Sequence, residues 1–101
     1  MAVILFVRIE TGLELPEPER RLQERKPSFN QVPGLIQKIY GHDPVSGGAC
    51  GIYFFADQPS LEAFRDSELA RTIPSAYEAT DVRREVYQFL YPLYEDKGPL
   101  S

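Results

Sequence analysis

The side chains of this 101-residue chain that could carry acid–base chemistry are one histidine, six tyrosines and several arginines. Histidine is the side chain whose ordinary pKa lies near 7, and His42 follows an apolar segment directly before Asp43. Tyr53 could donate a hydrogen bond to a bound molecule, and Arg71 could hold an anion. These three are our catalytic candidates. The alternatives are an exposed hairpin-turn position for His42, core packing for Tyr53, and a surface ion pair between Arg71 and Glu68.

Further aromatic side chains could line a pocket for a small aromatic molecule, because rings supply much of the apolar surface of ligand sites. Aromatic residues on a sheet face can also pack into the core or against a second subunit. The sequence leaves both interpretations open. The candidate substrate-binding residues are Tyr40, Phe55, Phe64, Tyr77 and Tyr87.

Neither a metal site nor a nucleotide site is indicated by the sequence. One histidine and one cysteine cannot form a usual zinc site. The segment SGGACG lacks the Lys-Ser/Thr ending of a phosphate loop and leads into a strand. Cys50, between Ala49 and Gly51, is typical of a small buried apolar residue. Because it is the only cysteine, no internal disulfide can form, and we expect a cytoplasmic protein.

Charge and length limit the classes of partner. The chain has a formal net charge of −4, which disfavours binding to a nucleic-acid backbone. No run reaches the roughly 18 apolar residues of a membrane helix, so no membrane partner is expected. The length suits a single domain, which we assign to residues 1–92, followed by a tail over residues 93–101.

The order of apolar segments and breaking residues predicts a βαββαβ arrangement. The short DPVSGG connection makes the second and third strands a hairpin. Pro27 should kink or divide the first helix, and Asp57 or Ser60 should cap the second, with Pro59 near its first turn. This order is the ferredoxin-like α+β fold, a four-stranded antiparallel sheet with helices on one face. The predicted strands cover residues 2–10, 34–42, 49–56 and 82–91, and the first helix lies between Pro18 and Pro33.

Bulky side chains on both faces of the predicted sheet indicate a second cover. Tyr53 and Phe55 alternate with Ile52 and Phe54 in the third strand. Two helices cover only one face of such a sheet, and an uncovered face should be polar. We therefore predict a homodimer with sheets packed face to face, in which the tail can cross to the partner.

Four motifs, PGLIQKIYGH, GIYFFAD, SLEAF and LAR, resemble the YdhR-like mono-oxygenases. That family belongs to the dimeric α/β-barrel superfamily, which includes the antibiotic-biosynthesis mono-oxygenases. The resemblance covers residues 30–75 by motif and the rest by strand order. The positions that match the family are Lys38, Gly51, Ile52, Tyr53, Phe55, Asp57, Ala70 and Arg71.

The resemblance implies a small homodimer with a pocket between the helices and the sheet of each protomer. Distant relatives oxidise aromatic or quinol-like molecules with O₂, using neither flavin nor metal, and the deprotonated substrate supplies the electrons. The chain departs from the family at two features. It has no tryptophan, where the family tends to place tryptophans in the second strand, and it has Glu68 where the family has a histidine.

We therefore expect a cofactor-independent mono-oxygenase acting on a small aromatic or quinone-like molecule. Its pocket should measure several hundred Å³, with at least two of the candidate side chains converging on it. A binding or purely dimerising protein is the alternative, and isomerase or lyase chemistry on the same scaffold is a third hypothesis.

Overall fold

The computed structural model describes residues 2–97, which form a four-stranded antiparallel sheet with helices on one face. The strand order β2-β3-β1-β4 confirms the predicted ferredoxin-like α+β fold. The elements are β1 (Val3–Thr11), α1 (Glu17–Phe29), β2 (Leu35–His42), β3 (Ala49–Phe55), α2 (Gln58–Arg65), α3 (Glu68–Arg71), α4 (Ile73–Ala76) and β4 (Ala79–Gln88).

The central strand β1 organises the core because it pairs with both β3 and β4. Its side chains alternate strictly between buried and half-buried positions. Leu5 and Val7 point towards the helices, opposite Tyr53 and Gly51 of β3. The face that carries these residues, the inner face, holds the core together with Phe29, Leu61 and other side chains from the helices.

Helix α1 continues through Pro27, contrary to the predicted kink or division at that residue. Pro27 lies in the last turn, two residues before the end of the helix at Phe29. The hydrogen bond that proline cannot donate is therefore lost where little helix remains to be disturbed. Phe29 is buried and packs its ring 6.1 Å from that of Tyr53, which fixes the end of α1 above β3.

The second helical region divides into α2, α3 and α4, where the sequence predicts one helix. Asp57 caps α2 by accepting a hydrogen bond from the Ser60 backbone N–H at 2.9 Å, as predicted, with Pro59 in the first turn. Ser67 starts α3 by accepting from the Ala70 backbone N–H at 3.3 Å. Pro74, in the first turn of α4, cannot continue an earlier helix.

Strand β4 lies three residues earlier than the predicted 82–91. Ala79 and Asp81 pair with the far end of β1, whereas Gln88 already lies opposite Val3, near the beginning of β1. Beyond that point the ladder continues only through the Phe89 N–H, which donates to the Ala2 carbonyl at 2.9 Å. The length of β4 is therefore set by its partner strand.

The sheet face turned away from the helices, the open face, is apolar along its centre, as the sequence predicts. Register places one row of side chains from β2, β3 and β1 on this face. The row is only partly shielded, and Ile39 is 44% exposed. The apolar residues of the row are Ile4, Phe6, Ile39, Ile52 and Phe54.

After β4 the chain presents exposed apolar side chains, among them Leu90, Tyr91 and Leu93. Of the tail assigned to residues 93–101, the last four lie outside the described residues. Its crossing to a second subunit stays a prediction.

Candidate active site

A small cavity lies between α1 and the inner faces of β2 and β3. Its volume is about 30 Å³, which is room for a water molecule or two but not for an aromatic ring. No acidic side chain is among the described residues around it. The lining residues are Val7, Ile9, Leu22, Phe29, Lys38, Tyr40, Ala49, Cys50, Gly51, Tyr53, Ile73 and Tyr77.

The ammonium of Lys38 lies inside a cage of aromatic faces at this cavity. Its Nζ is 3.4 Å from the ring centroid of Phe29, 4.4 Å from that of Tyr40 and 4.5 Å from that of Tyr53. Burial away from water, with the positive charge of Arg25 as a second cause, lowers the Lys38 pKa to about 7. The ring faces act in the opposite direction, because their negative π-surface favours the charged form.

Gly51 provides the space that this cage requires. A Cβ atom at this position would lie 3.0 Å from Cε of Lys38 and 3.1 Å from Cε1 of Tyr53. Both distances are shorter than ordinary carbon–carbon contacts. The glycine in the middle of β3 therefore lets the lysine stem and the tyrosine ring lie directly on the backbone.

Three tyrosines converge on the cavity and remain protonated hydrogen-bond donors at neutral pH. Tyr53 and Tyr77 are 2% and 3% exposed. Burial raises the pKa of Tyr53 strongly and also raises the pKa values of Tyr40 and Tyr77. A buried phenol that keeps its proton can donate to an anion bound beside it.

Arg25 approaches the same region from α1. Its guanidinium lies 5.7 Å from the ring centroids of both Phe29 and Tyr77. Nη2 donates to the Leu69 carbonyl at 3.0 Å, which fixes the side chain. Within residues 2–97, Arg25 Nε and the Tyr77 hydroxyl are buried without a hydrogen-bond partner. Since buried polar atoms are nearly always paired, these two are suited to a water molecule or a substrate oxygen.

Two larger grooves share lining residues with the cavity, and Tyr40 lines all three spaces. A groove of about 280 Å³ lies between α1 and the end of β2 and includes His42. A second groove of about 310 Å³ lies between the end of α1 and the start of β2 and includes Lys38. These volumes approach those of small-molecule sites. A substrate bound in either groove would meet the cavity at Tyr40.

The structure thus brings together three of the residues proposed from the sequence, Tyr40, Tyr53 and Tyr77. His42 is exposed and lines the 280 Å³ groove, outside the inner cavity. Because residues 38, 40 and 42 alternate along β2, His42 shares the inner face but lies at the end of the strand, beyond the cage.

Four other proposed residues lie away from the cavity. Arg71 is exposed and donates to the Asp66 carbonyl at 2.9 Å, instead of pairing with Glu68 or reaching inward. Tyr87 lies opposite Ile4 on the open face, because its position in β4 has the opposite parity to the inner residues.

Phe55 and Phe64 are also absent from the cavity lining and pack in the aromatic core beneath α2. Their ring centroids are 5.6 Å apart, and Phe55 is fully buried. Phe64, together with Arg71, lines a separate groove of about 260 Å³ beside β4.

Lys38 and Arg25 were absent from the candidates proposed from sequence. A signal for Lys38 exists in the alternation of β2, which places a lysine on the same face as Tyr40 and His42. Arg25 lies four residues before Phe29 and three after Leu22, on the apolar stripe of α1. A cation on an otherwise apolar face is the pattern that marks both.

Among residues 2–97, no cluster of three or more histidine, cysteine or acidic side chains is arranged to hold a metal ion. Over the same residues, no helix is long and apolar enough to cross a membrane.

Comparison with known proteins identifies the family to which the chain belongs. The family model described as "Putative mono-oxygenase ydhR" matches residues 5–95. The chain belongs to the YdhR family. No curated protein matches the chain at a significant level.

Solved structures share the fold of this YdhR-family chain at low sequence identity. SnoaB, a cofactor-independent oxygenase from Streptomyces nogalater, has a TM-score of 0.74 at 12% identity, covering 91% of this chain and 96% of SnoaB. Rv0793 from Mycobacterium tuberculosis has a TM-score of 0.72 at 13% identity, covering 93% of this chain and 100% of Rv0793. A protein from Deinococcus radiodurans, described as a "putative antibiotic biosynthesis monooxygenase", has a TM-score of 0.71 at 9% identity, covering 93% and 97% of the two chains.

Proposed function

We propose that this YdhR-family protein is a cofactor-independent mono-oxygenase that converts a small hydroxyarene to a quinone. The substrate binds in the grooves beside Tyr40 and directs its hydroxyl group to the inner cavity. Family membership supports the reaction type, and the volumes of the grooves support a small, flat molecule.

The observation that carries the proposal is the convergence of hydrogen-bond donors and positive charge on one small cavity. Its lining includes Lys38 and the three tyrosines Tyr40, Tyr53 and Tyr77, and it contains no carboxylate among the described residues. The Arg25 guanidinium lies against the ring of Tyr77. Donors fixed in a site of low dielectric stabilise an anion more strongly than water does. An electron-rich phenolate is the species from which O₂ can take an electron without a cofactor.

The reaction balances with the substrate as the sole reductant. The phenolate gives one electron to O₂, and the resulting superoxide joins the ring radical at the carbon para to the oxygen. Protonation gives a hydroperoxide. Loss of the hydrogen on that carbon and cleavage of the O–O bond then yield the quinone and water. One oxygen atom of O₂ enters the product, and the other leaves as water.

A second copy of the chain is part of the proposal. The open face presents the apolar row of Ile4, Phe6, Ile39, Ile52 and Phe54, which no element among the described residues covers. Because the same row exists on every copy, two sheets related by a two-fold axis would be self-complementary. The cavity lies on the opposite face, so each protomer keeps its own site.

The small inner volume favours one second candidate, a protein that binds an aromatic molecule without oxidising it. A cavity of about 30 Å³ admits only the edge of a ring. Such a protein would bind hydroxyarenes in the grooves but would consume no O₂.

Oxygen uptake with a panel of monohydroxylated naphthalenes and anthracenes, in the presence of a chelator, separates the two candidates. We expect Tyr53→Phe and Tyr77→Phe each to lower kcat/KM about tenfold or more, since each removes one donor to the anion. His42→Ala and Arg71→Ala test the candidates proposed from sequence, and Lys97→Met, in the exposed tail, is the control. Unchanged turnover in both tyrosine variants would refute the assignment of the site. Binding without oxygen uptake would favour the second candidate.

A further inference from the structure

We infer that the neutral side-chain amine of Lys38 is the base that takes the proton from the substrate hydroxyl, so the site selects uncharged, weakly acidic hydroxyarenes. The inference rests on the proposed function for its reaction, and on the geometry of the cage for the identity of the proton acceptor.

Lys38 is the side chain that lines both the inner cavity and the 310 Å³ groove while carrying a nitrogen that can accept a proton. A hydroxyl group that enters from the groove past Tyr40 meets the amine before it meets Tyr53 or Tyr77. The tyrosines keep their own protons, because burial raises their pKa values, and they therefore act as donors to the anion.

A buried ammonium is ordinarily paired with a carboxylate, but no acidic group favours the charged form of Lys38 among the described residues. Arg25 is a like charge, and together with burial it lowers the Lys38 pKa to about 7. The ionisable groups around the amine are Arg25 and Lys26 from α1, Tyr40 from β2, Tyr53 from β3, and Tyr77 at the end of α4. Cys50 lines the cavity through its backbone, because its side chain lies on the open face beside Gly41.

After proton transfer, the aromatic cage stabilises the charge that Lys38 acquires. The amine becomes an ammonium held against the faces of Phe29, Tyr40 and Tyr53, which stabilise a cation. The phenolate formed beside it is its missing counter-ion. The pair of Lys38 and substrate is therefore neutral before the transfer and an ion pair after it. When the hydroperoxide forms, the ammonium returns the same proton to the peroxide oxygen.

This arrangement restricts the substrate. A carboxylate is already ionised and cannot give a proton to the amine, and an aliphatic alcohol is too weak an acid. A phenol or an enol matches both requirements, and its ring can stack on Tyr40 at the mouth of the groove.

The test uses the ionisation of a bound dye and the reactivity of the three lysines. The full chain is mixed with 4-nitrophenol, whose ionised form absorbs at longer wavelength, under nitrogen so that no oxidation occurs. We expect the wild-type protein to bind and ionise the dye below the pH at which the free dye ionises. Lys38→Met should leave bound dye neutral, whereas Lys38→Arg, a permanent cation, should ionise it. In the separate oxygen-uptake assay, Lys38→Arg should lack the rise in rate with pH that deprotonation of Lys38 gives the wild-type protein. Lys97→Met is the control.

In the same protein, competitive acetylation followed by mass spectrometry compares Lys38 with Lys26 and Lys97. We expect the reactivity of Lys38 to rise with a midpoint at about pH 7. Reaction of Lys38 in step with the other two lysines, failure of the wild-type protein to bind the dye, or ionisation of the dye by Lys38→Met would overturn the inference.

The oxygen-uptake arm separates this inference from the proposed function. In turnover, both Lys38 variants should lower kcat by about 10²-fold or more, the usual contribution of a general base. If Lys38 titrates near neutrality and ionises the dye but no hydroxyarene consumes O₂, the inference about Lys38 stands and the mono-oxygenase assignment fails.

Discussion

Among the single residues, the proposed chemistry depends on Lys38, whose surroundings act on its charge in opposite directions. The aromatic faces around Lys38 attract a cation, while burial and Arg25 oppose one. A side chain held between the two protonation states can exchange a proton at neutral pH with little cost in either direction. His42, whose residue type suggests this role from sequence alone, lies exposed at the end of β2.

The lowered Lys38 pKa has a consequence for stability that needs no substrate. Between about pH 7 and pH 10.5 the unfolded chain binds a proton that the folded chain lacks, so the free energy of unfolding rises with pH in this window. Below about pH 7 both states bind it, and the full cost of burying the ammonium is present. Lys38→Met removes that cost.

We therefore expect Lys38→Met to be more stable than the wild-type protein near pH 6. The gain in the free energy of unfolding should be about 1–3 kcal/mol, because the attraction between the ammonium and the ring faces, which the substitution also removes, cancels part of the cost of burial. The difference should shrink as the pH rises towards 10. Denaturant unfolding of both proteins near pH 6, 8 and 10 measures this difference in the free energy of unfolding. Ionisation of the tyrosines occurs in both proteins and therefore cancels in the difference. A difference that does not change with pH would show that folding does not lower the pKa of Lys38.

At the scale of the element, the site is a product of the alternation in β2 and β3. Lys38 and Tyr40 point inward from β2 because the register pairs them with Tyr53 and Gly51, the inward-facing positions of β3. Gly51 lacks the side chain that would otherwise fill the space between them. The cavity therefore exists because an inward-facing position of β3 is a glycine, which has no side chain to fill it.

Gly51→Ala should close this space. Its Cβ would lie 3.0 Å from Cε of Lys38 and 3.1 Å from Cε1 of Tyr53. We expect a loss of about 1–3 kcal/mol in the free energy of unfolding from overpacking, together with loss of dye binding at the cavity. Gly12→Ala is the matched control, because nothing lies within 4 Å of its added Cβ. Equal effects of the two substitutions would contradict the role given to Gly51.

The same scale shows what the sequence could and could not predict. Alternation in the strands, the hairpin residues and the Asp57 cap are local signals, and they predict the fold. They leave open whether Tyr40, Tyr53 and Tyr77 line a pocket or pack in the core. The end of β4 was misplaced, because it is determined by where β1 begins, which no local pattern contains. The inward position of Arg25 depends likewise on how α1 packs over β3. The sheet face on which Tyr87 lies depends on the register that pairs it with Ile4.

At the scale of the whole molecule, the sheet separates two functions. Its inner face holds the site, and its open face carries the apolar row that we propose as the dimer interface. Ile52 lies at the centre of that row, between Ile39 on one neighbouring strand and Phe6 on the other.

We expect the wild-type protein to sediment as a dimer at micromolar concentrations and Ile52→Asp to sediment as a folded monomer, since a buried unpaired carboxylate opposes association. Val45→Asp is the control, because Val45 is 94% exposed in the hairpin turn. Circular dichroism confirms that each variant is folded. A well-folded wild-type monomer at high micromolar concentration would contradict the proposed interface.

The fate of labelled oxygen tests whether this protein adds O₂ to a deprotonated hydroxyarene without a cofactor. Chelator-treated, flavin-free protein is supplied with 1-naphthol and related monohydroxyarenes under ¹⁸O₂, and the masses of the products are measured by mass spectrometry. The account predicts a quinone that carries one ¹⁸O atom at the carbon para to the original hydroxyl, with the second atom in water. Unlabelled products accompanied by hydrogen peroxide, or no quinone from any member of the panel, would contradict it.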